Sequence, residues 1–174
     1  MAKSRLDDPL TAAQLRARLD YIPSTGAFIW RYQTTARKEW NSRYAGTRAG
    51  TLHSEGYRQI QLYGRFYFAH RLAFLWMTGK WPPVWVDHRD TDRSNDAWTN
   101  LRPATYSQNA RNSQLRSSNT SGFKGAYWDK HKGYWGAAIR ANGPTRFLGY
   151  YDTAEKAAAA YIKAAKRLYG EFAR

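Results

Sequence analysis

The sequence predicts an α+β protein made of two small units, each with an antiparallel sheet and helices. Three observations predict this class: short alternating apolar runs bounded by turn residues, segments with apolar residues at helical spacing, and a polar, aperiodic stretch between two such groups. A chain of 174 residues can form one ordinary domain or two small ones. We therefore predict a first domain over 1–113, a linker over 114–120 and a second domain over 121–174.

The first domain is predicted to contain several short elements ahead of its polar centre. Thr11 and Gln14 form a capping box, which is typical of a helix start. The pair Tyr63-Gly64 between two alternating runs indicates a tight hairpin turn. The predicted elements are a helix over 11–20, a strand over 27–30, a polar loop over 32–46, hairpin strands over 57–62 and 65–68, and a helix that ends at Gly79.

The stretch 83–113 has the order strand, long polar loop, strand and helix. Its first strand ends in Asp87 and His88, and the residues that follow are turn formers without apolar period. The predicted elements are a strand over 84–86, a loop over 89–99, a return strand over 100–104 and a helix over 105–113.

The second domain is predicted to be a three-stranded antiparallel sheet packed on one helix. The helix, capped by Asp152 with Glu155 three residues later, has an alanine-rich apolar face that permits close approach to a sheet. The strands are predicted over 123–128, 134–140 and 146–151, and the middle strand is predicted to turn Trp135, Ala137 and Ile139 toward the helix.

The charge balance predicts a polyanionic partner. Lys and Arg number 28 against 13 acidic residues, which gives a formal net charge of +15. The 8 Trp, 13 Tyr and 7 Phe are interleaved with these cations, and aromatic rings beside basic side chains suit base stacking and groove contacts. We therefore favour nucleic acid over a membrane surface as the partner.

Composition excludes several kinds of chemistry. The chain has no cysteine, so disulfides, thiol catalysis and a cysteine-ligated structural zinc are excluded. No apolar run approaches the roughly 20 residues of a membrane span, and the first residues lack an apolar signal core. We expect a cytoplasmic protein, in a bacterial or phage-infected host cell.

Four residues within the window 87–109 carry the candidate chemistry. Asp87 is a hard anionic ligand for a divalent cation, and Asn109 offers a neutral carbonyl ligand. His88 carries an imidazole, a side chain suited to take a proton from water, while Asn100 can hold its tautomer by hydrogen bonding. A metal ligand beside a base on a cationic chain indicates phosphodiester hydrolysis.

At these residues the chain resembles the HNH nucleases, in the branch found in phage and intron homing endonucleases. The resemblance implies a ββα-metal motif with His88 as general base, Asp87 and Asn109 as metal ligands, and Asn100 as the residue that orients His88. Asn109 stands where many HNH enzymes carry His, which matches an Asn-ending variant. The matching segments are Ala69-His70-Arg71-Leu72, Trp81-Pro82-Pro83, residues 87–96, Asn100-Leu101-Arg102 and residues 109–112.

Three segments of the second domain, residues 121–128, 133–140 and 148–161, together form a recognisable pattern. In these segments the domain resembles the Apetala-two/ethylene-response-factor DNA-binding domain, in the form often fused to phage HNH enzymes. The resemblance implies a sheet face that contacts DNA, and Ala138 stands where plant members carry Glu. The candidate DNA contacts in this domain are Lys124, Tyr127, Arg140 and Arg146, and the candidate phosphate contacts elsewhere are Arg102, Arg111 and Arg116.

These observations predict a metal-dependent, site-preferring DNA endonuclease that uses one divalent cation, Mg²⁺ or Mn²⁺, without structural zinc. Its expected partner is double-stranded DNA, and the chain is expected to act as a monomer or homodimer. The alternatives are a non-catalytic, sequence-preferring DNA-binding or regulatory protein with a relic HNH site, and a structure-selective or RNA-directed nuclease. His70 is interpreted as a structural histidine, with a phosphate contact as the alternative, and the remaining loop residues Asp90, Asp92, Asn95 and Asn112 as solvated turn formers.

Overall fold

The computed structural model describes residues 10–113, 115, 118–140 and 143–173. This part of the chain confirms the mixed class, with small antiparallel sheets and helices. The chain divides into two compact units, Met1–Thr105 and Tyr106–Arg174, so the helix after Thr105 is counted with the second unit. The predicted linker over 114–120 includes residues outside the described part, and the domain boundaries stay a prediction.

The first unit contains three antiparallel sheets among its described residues, with strand orders β1-β2, β3-β4-β5 and β6-β7. Its elements are α1 (Ala12–Arg18), β1 (Leu19–Ile22), β2 (Ala27–Trp30), α2 (Lys38–Tyr44), β3 (Thr51–Leu52), β4 (Arg58–Leu62), β5 (Arg65–Phe68), α3 (Ala69–Thr78), β6 (Trp85–His88), a short 3-10 helix (Trp98–Asn100) and β7 (Leu101–Ala104).

The capping box at the start of α1 is confirmed, but the helix is shorter than predicted. Thr11 accepts a hydrogen bond from the Gln14 amide, and the Gln14 side chain returns one to the Thr11 amide. The helix ends at Arg18, because Leu19 and Tyr21 are buried in alternation along a strand that pairs with β2. The pairing of Leu19 with Trp30 replaces the last helical turn that the 3.6-residue spacing had suggested.

The predicted hairpin and the end of the following helix are confirmed. Tyr63 and Gly64 both have positive φ, 50° and 76°, as a tight two-residue turn between β4 and β5 requires. Gly79 follows α3 with φ of 75°, a left-handed C-terminal cap that favours glycine.

The prediction of a loop over 32–46 is wrong where α2 forms. This helix has no side-chain cap at its first residue and is held by tertiary contacts. Trp40 packs edge-on against Trp30, and Asn41 exchanges hydrogen bonds with the backbone N–H and C=O of Gln33. Contacts with residues outside the helix thus stabilise a segment whose own sequence shows little helical periodicity.

One apolar core holds the first unit together. It combines residues from α1, from α3 and from all three sheets, with Phe28, Leu15, Leu19, Ile60, Leu72 and Leu75 fully buried. The strands β6 and β7 join this core through Val86 and Leu101. The polar ends of these strands are therefore fixed to a packed scaffold.

The second unit is a three-stranded antiparallel sheet, of order β10-β9-β8, packed on its long helix. Its elements are α4 (Tyr106–Asn112), β8 (Ala126–Asp129), β9 (Tyr134–Arg140), β10 (Thr145–Tyr151), α5 (Ala154–Tyr169) and a short 3-10 helix (Gly170–Phe172). Ala137 and Ile139 of β9 are buried on the helix side, as predicted.

Two details of the second unit follow from close packing. The cap of α5 is Thr153, one residue later than the predicted Asp152, because its hydroxyl accepts the Lys156 amide. Gly125 lies under the Tyr161 ring, where an added Cβ would be only 2.0 Å from Cδ2.

In neither unit does a described helix have the length and apolar character needed to cross a membrane.

Candidate active site

The β6–β7 ribbon presents the two central residues of the predicted site. Asp87 and His88 are the last residues of β6, and they pair with Arg102 and Leu101 of β7. Successive side chains on a strand point to opposite faces, so Asp87 and His88 meet different surroundings. Both side chains are buried, with exposed fractions of 3% and 4%.

Asp87 forms a buried ion pair with Arg102. The Nε of the guanidinium donates to Oδ2 of the carboxylate at 2.8 Å, and Nη2 lies 2.7 Å from the same oxygen. The sequence led us to expect a phosphate contact from Arg102. The structure instead buries this guanidinium against Asp87, because the two residues stand opposite each other in the ribbon.

His88 lies beside a second carboxylate, that of Asp96. The Nε2 atom of His88 is 3.3 Å from Oδ1 of Asp96, and Asp96 is fully buried. Aromatic rings enclose the imidazole: the His70 ring meets it edge-on at 5.2 Å between centroids, and the Tyr57 ring lies at 5.9 Å. A carboxylate on one ring nitrogen fixes the orientation of an imidazole.

His70 completes a compact group of donor atoms. It lies in the first turn of α3, buried, with its ring stacked on Phe68 at an interplanar angle of 11°. One ring nitrogen from each of His70 and His88 and one carboxylate oxygen of Asp96 all lie within 4.8 Å of one another. Two imidazoles and a carboxylate are a donor set that can hold a metal ion.

The backbone at Asp96 is held by the N-terminal hairpin. The Tyr21 hydroxyl donates to the Asp96 carbonyl at 2.6 Å, and the Trp98 amide donates to the Pro23 carbonyl. Gly26 approaches so closely that an added Cβ would be 2.2 Å from the Asp96 carbonyl carbon. The β1–β2 turn therefore determines where the Asp96 carboxylate lies.

Burial sets the electrostatics of Asp96. Removal from water raises the pKa of this carboxyl above its ordinary value, against the hydrogen bond to His88 and the charges of Arg58 and Arg48, which act to lower the pKa. Its second oxygen, Oδ2, has no hydrogen-bond partner among the described residues. Asp96 is therefore held in place by its neighbours, and one of its carboxylate oxygens accepts no hydrogen bond from a described residue.

Asn100 acts on the loop that contains Asp96. Its side-chain amide donates to Oδ1 of Asp90 and to the carbonyl of Asn95, and its Oδ1 accepts the Asp90 amide. The Arg89 amide also donates to the Asn100 carbonyl. Asn100 therefore fixes the residue that precedes Asp96, one step removed from the contact with His88.

Asp90, which we had interpreted as a solvated turn former, is the centre of this loop. Its partial burial acts to raise the pKa of the carboxyl, but hydrogen bonds from Asn95, Asn100 and the Asp92 amide outweigh burial and lower the pKa below its ordinary value. The ionised carboxylate bridges the two ends of the loop, through Asn95 at 2.6 Å and Asn100 at 2.9 Å.

The other predicted site residues belong to the second unit. Asn109 is half-buried on α4. The Arg111 guanidinium lies 4.5 Å from the centre of the Tyr169 ring, and the Lys124 ammonium donates to the Arg111 carbonyl at 3.0 Å. Arg116 lies outside the described residues.

The sheet face turned away from α5 is aromatic and basic. Tyr127 and Tyr150 stand opposite Gly136 from its two sides, and Tyr127 covers it, because an added Cβ there would lie 2.5 Å from Cζ. Arg140 is exposed at the end of β9, and its Nε donates to the Gly143 carbonyl. Arg146 is exposed, but it pairs with Ile139, which is buried on the helix side, so it does not share the face of Tyr127 and Arg140.

Sequence reasoning missed the group around His88. Asp96 was one of several acids in a polar loop, and the one signal that separates it is the apolar pair Ala97-Trp98 directly after it. His70 was interpreted as structural, and nothing in the sequence links it with His88 across the intervening residues. The relationship is seen only in the folded chain, as the contact between the two imidazole rings.

Comparison with known proteins bears on this region. Residues 67–111 match the family model of an HNH endonuclease. Protein 3.8 of Escherichia phage T7 is 34% identical over 116 residues, which cover 64% of this chain and 95% of that protein. The uncharacterized HNH endonuclease L560 of Acanthamoeba polyphaga mimivirus is 37% identical over 106 residues, and the match spans 60% of this chain and about half, 54%, of that relative.

A solved structure on DNA binding and cleavage by the HNH homing endonuclease I-HmuI is also similar to this chain. The similarity covers 87% of this chain and 85% of that chain, with 18% sequence identity and a TM-score of 0.40.

Proposed function

Because this chain carries an HNH endonuclease domain and belongs to one family with protein 3.8 of phage T7, we propose that it is a metal-dependent endonuclease of the homing type. Its substrate is double-stranded DNA, which it cleaves at a preferred site. The observation that carries this proposal is the buried His88–Asp96 pair at the end of β6, where His88 directly follows Asp87 in the strand. The chain's net charge of +15 suits a polyanionic substrate.

His88 is the general base in this proposal. With Asp96 accepting the proton on Nε2, the tautomer that remains offers the lone pair of Nδ1 to an attacking water. The carboxylate also stabilises the imidazolium that forms when the proton is taken. Because His88 is buried in this conformation, substrate binding must admit one water molecule to its ring.

Asp87 and Asn109 are the proposed ligands of one Mg²⁺ or Mn²⁺ ion. Such ions take oxygen ligands, and Asp87 offers a carboxylate whose position Arg102 fixes through one of its oxygens. When bound, the ion neutralises charge on the phosphate and on the leaving oxygen. Since Arg102 already offsets the charge of Asp87, we expect the phosphate of DNA to supply much of the metal affinity.

Arg102 and Asn100 are positioning residues in this scheme. Arg102 fixes the Asp87 carboxylate, and Asn100 fixes the Asn95 carbonyl and with it the start of the Asp96 segment. The earlier expectation that Asn100 orients His88 is kept in this indirect form.

The second unit is proposed to be an Apetala-two-type DNA-binding domain. The support is its architecture, three antiparallel strands packed on one helix, and the exposed residues of its outer face. Tyr127 and Arg140 are the proposed DNA contacts on that face. Arg146 pairs with Ile139 and so starts from the helix side of the sheet; it is kept as a proposed phosphate contact from the exposed strand β10. Arg111 lies on α4, and the Lys124 ammonium donates to its carbonyl. Both residues are assigned to phosphate contacts.

A second function, a non-catalytic DNA-binding protein with a relic HNH site, is favoured by one observation. Asp87 is engaged by Arg102, and both partners are buried, so the carboxylate is less available to a cation than an open site would make it. The two functions make opposite predictions for cleavage and the same prediction for binding.

Plasmid cleavage distinguishes these functions. Supercoiled plasmid is incubated with wild type, His88→Ala and a control, His131→Ala, in Mg²⁺, in Mn²⁺ and in EDTA. His131 is exposed and lies in the second unit. We expect nicked or linear product from wild type and the control in either metal, none in EDTA, and at least a 10²-fold loss for His88→Ala.

DNA binding is measured in parallel by gel shift in EDTA. If wild type binds the plasmid tightly but leaves it intact in both metals, the relic function is correct. If His88→Ala cuts as fast as wild type, the assignment of the base is wrong.

A further inference from the structure

We propose that His70, His88 and Asp96 form a binding site for Zn²⁺, and that zinc held there switches the nuclease off. The inhibitory part rests on the proposed function, since it requires His88 to be the base. The site is separate in chemistry from the oxygen ligands Asp87 and Asn109 assigned to Mg²⁺.

The donor atoms already have nearly the spacing that zinc requires. Around a tetrahedral zinc with bonds of about 2.1 Å, neighbouring ligand atoms are about 3.4 Å apart. The distance from Nε2 of His88 to Oδ1 of Asp96 is 3.3 Å, and all three donors lie within 4.8 Å. Metal binding then has to shorten the longest of these separations by at most about 1.4 Å, from 4.8 Å to about 3.4 Å.

The type of donor selects zinc over magnesium. Imidazole nitrogen suits Zn²⁺ and other transition metals, whereas Mg²⁺ requires near-octahedral oxygen ligands and retains several waters. Two imidazoles and one carboxylate leave a fourth position for a water molecule. The burial of all three side chains gives the ion a site away from bulk solvent.

Asp96 supplies an independent reason for a cation at this place. Its Oδ2 is buried and makes no hydrogen bond with any described residue. A buried acceptor without a donor costs stability, and an ion bound by the carboxylate removes that cost. The positive charges of Arg58 and Arg48 act on the same carboxylate and repel a cation bound there. We therefore expect the affinity for the metal to be moderate.

Zinc at this site is incompatible with base catalysis by His88. When Nε2 binds the metal, the neutral ring carries its proton on Nδ1, the nitrogen that takes the proton from water in the proposed reaction. The proton that Nε2 shares with Asp96 in the metal-free site thus moves to Nδ1. Zinc removes the acceptor without touching the proposed Mg²⁺ ligands.

Binding is tested on the full chain with the metal alone. Wild type, His70→Gln and the control His131→Gln are titrated with Zn²⁺ by calorimetry and with Co²⁺ by visible absorption. We expect one equivalent of Zn²⁺ and an intense tetrahedral Co²⁺ spectrum for wild type and the control. His70→Gln is expected to lose at least tenfold in affinity and the tetrahedral spectrum.

Thermal unfolding tests zinc binding even if a variant is less stable than wild type, because each protein is compared with and without Zn²⁺. Each protein is its own reference: Zn²⁺ is expected to raise the Tm of wild type and His131→Gln, and to leave that of His70→Gln unchanged. Asp96→Asn, which retains the volume of the carboxylate, is expected to behave like His70→Gln. Equal zinc binding by wild type and both site variants overturns the proposal.

Inhibition is measured as the ratio of Mg²⁺-supported cleavage with and without Zn²⁺, within each variant. The ratio is expected to fall at least tenfold for wild type and to stay near one for His70→Gln. If zinc binding depends on His70 but no protein cleaves DNA, the site stands and the proposed endonuclease function fails. If zinc itself supports cleavage by wild type, the inhibitory assignment is overturned.

Discussion

The Nε2 atom of His88 lies 3.3 Å from Oδ1 of Asp96, at a point where neither side chain is exposed to solvent. The contact joins the end of strand β6 to the loop that leads into β7, eight residues along the chain. The contact orients the imidazole through one of its two ring nitrogens.

Asp96→Ala is expected to reduce plasmid cleavage by about 10²-fold while DNA binding changes little. The reason is that His88 loses the acceptor that fixes its tautomer. The measurement is the initial rate of nicking at saturating protein, together with a gel shift. Asp92→Ala is the matched control, since Asp92 is an exposed acid of the same loop. Equal losses in the two variants would show that general damage to the loop, not the His88 contact, is responsible.

Arg102→Leu is expected to lower the free energy of unfolding by about 3 kcal/mol or more, because it leaves the buried Asp87 carboxylate without its cation. The double variant Asp87→Leu with Arg102→Leu is expected to recover most of this loss, since no uncompensated charge remains. Urea unfolding of the four proteins of the cycle gives the coupling between the residues. A coupling near zero would mean that the ion pair does not form in solution.

Gly26→Ala is expected to destabilise the protein and to slow cleavage together. Its φ is 71°, and its Cβ would overlap the carbonyl carbon of Asp96 at 2.2 Å. Gly46→Ala is the control, because Gly46 has a similar φ of 79° and no described atom within 4 Å of an added Cβ. The difference between the two variants isolates the clash from backbone strain, which both share. Similar cleavage by both would show that Asp96 tolerates displacement.

Tyr21→Phe is expected to cost about 1 kcal/mol at pH 7, since the hydroxyl donates to the Asp96 carbonyl in the interior. Burial, with a smaller contribution from the Asp96 charge, raises the pKa of Tyr21 above its ordinary value of 10.0. A folded-state pKa above the unfolded one gives stability that is complete below pH 10 and is lost as the pH rises beyond it.

The alkaline loss of stability should therefore be smaller in Tyr21→Phe than in wild type. Chemical unfolding between pH 7 and 11 measures it, with Tyr32→Phe as the control because Tyr32 is largely exposed. Parallel pH profiles for wild type and Tyr21→Phe would contradict the assignment.

Arg140→Ala is expected to weaken DNA binding. The slope of log K against the logarithm of the salt concentration is expected to become shallower by about one. The residue is exposed on the sheet face that carries Tyr127. Lys163→Ala is the control, since it removes an exposed cation from α5, which packs on the opposite side of the sheet. The same reduction for both would indicate nonspecific attraction by net charge.

The sequence predicted those parts of the fold that depend on local signals. The capping box at Thr11, the Tyr63-Gly64 turn and the stop at Gly79 use interactions within a few residues, and the structure contains all three. The start of β1 was missed because the choice between a helix and a strand at Leu19 depends on its partner across the sheet. Helix α2 was missed for a similar reason, since its Trp40 and Asn41 contact residues outside the helix.

By itself the sequence determined the mixed architecture, the strand–loop–strand–helix order around Asp87 and His88, and the cationic character of the surface. These follow from periodicity, turn chemistry and composition, which are properties of neighbouring residues. Only the tertiary structure decided what those side chains meet: Arg102 for Asp87, and Asp96 with His70 for His88. The reason is that burial and pairing depend on how the strands, the loop and the helix pack, and the residue type alone does not identify the partner of a polar side chain.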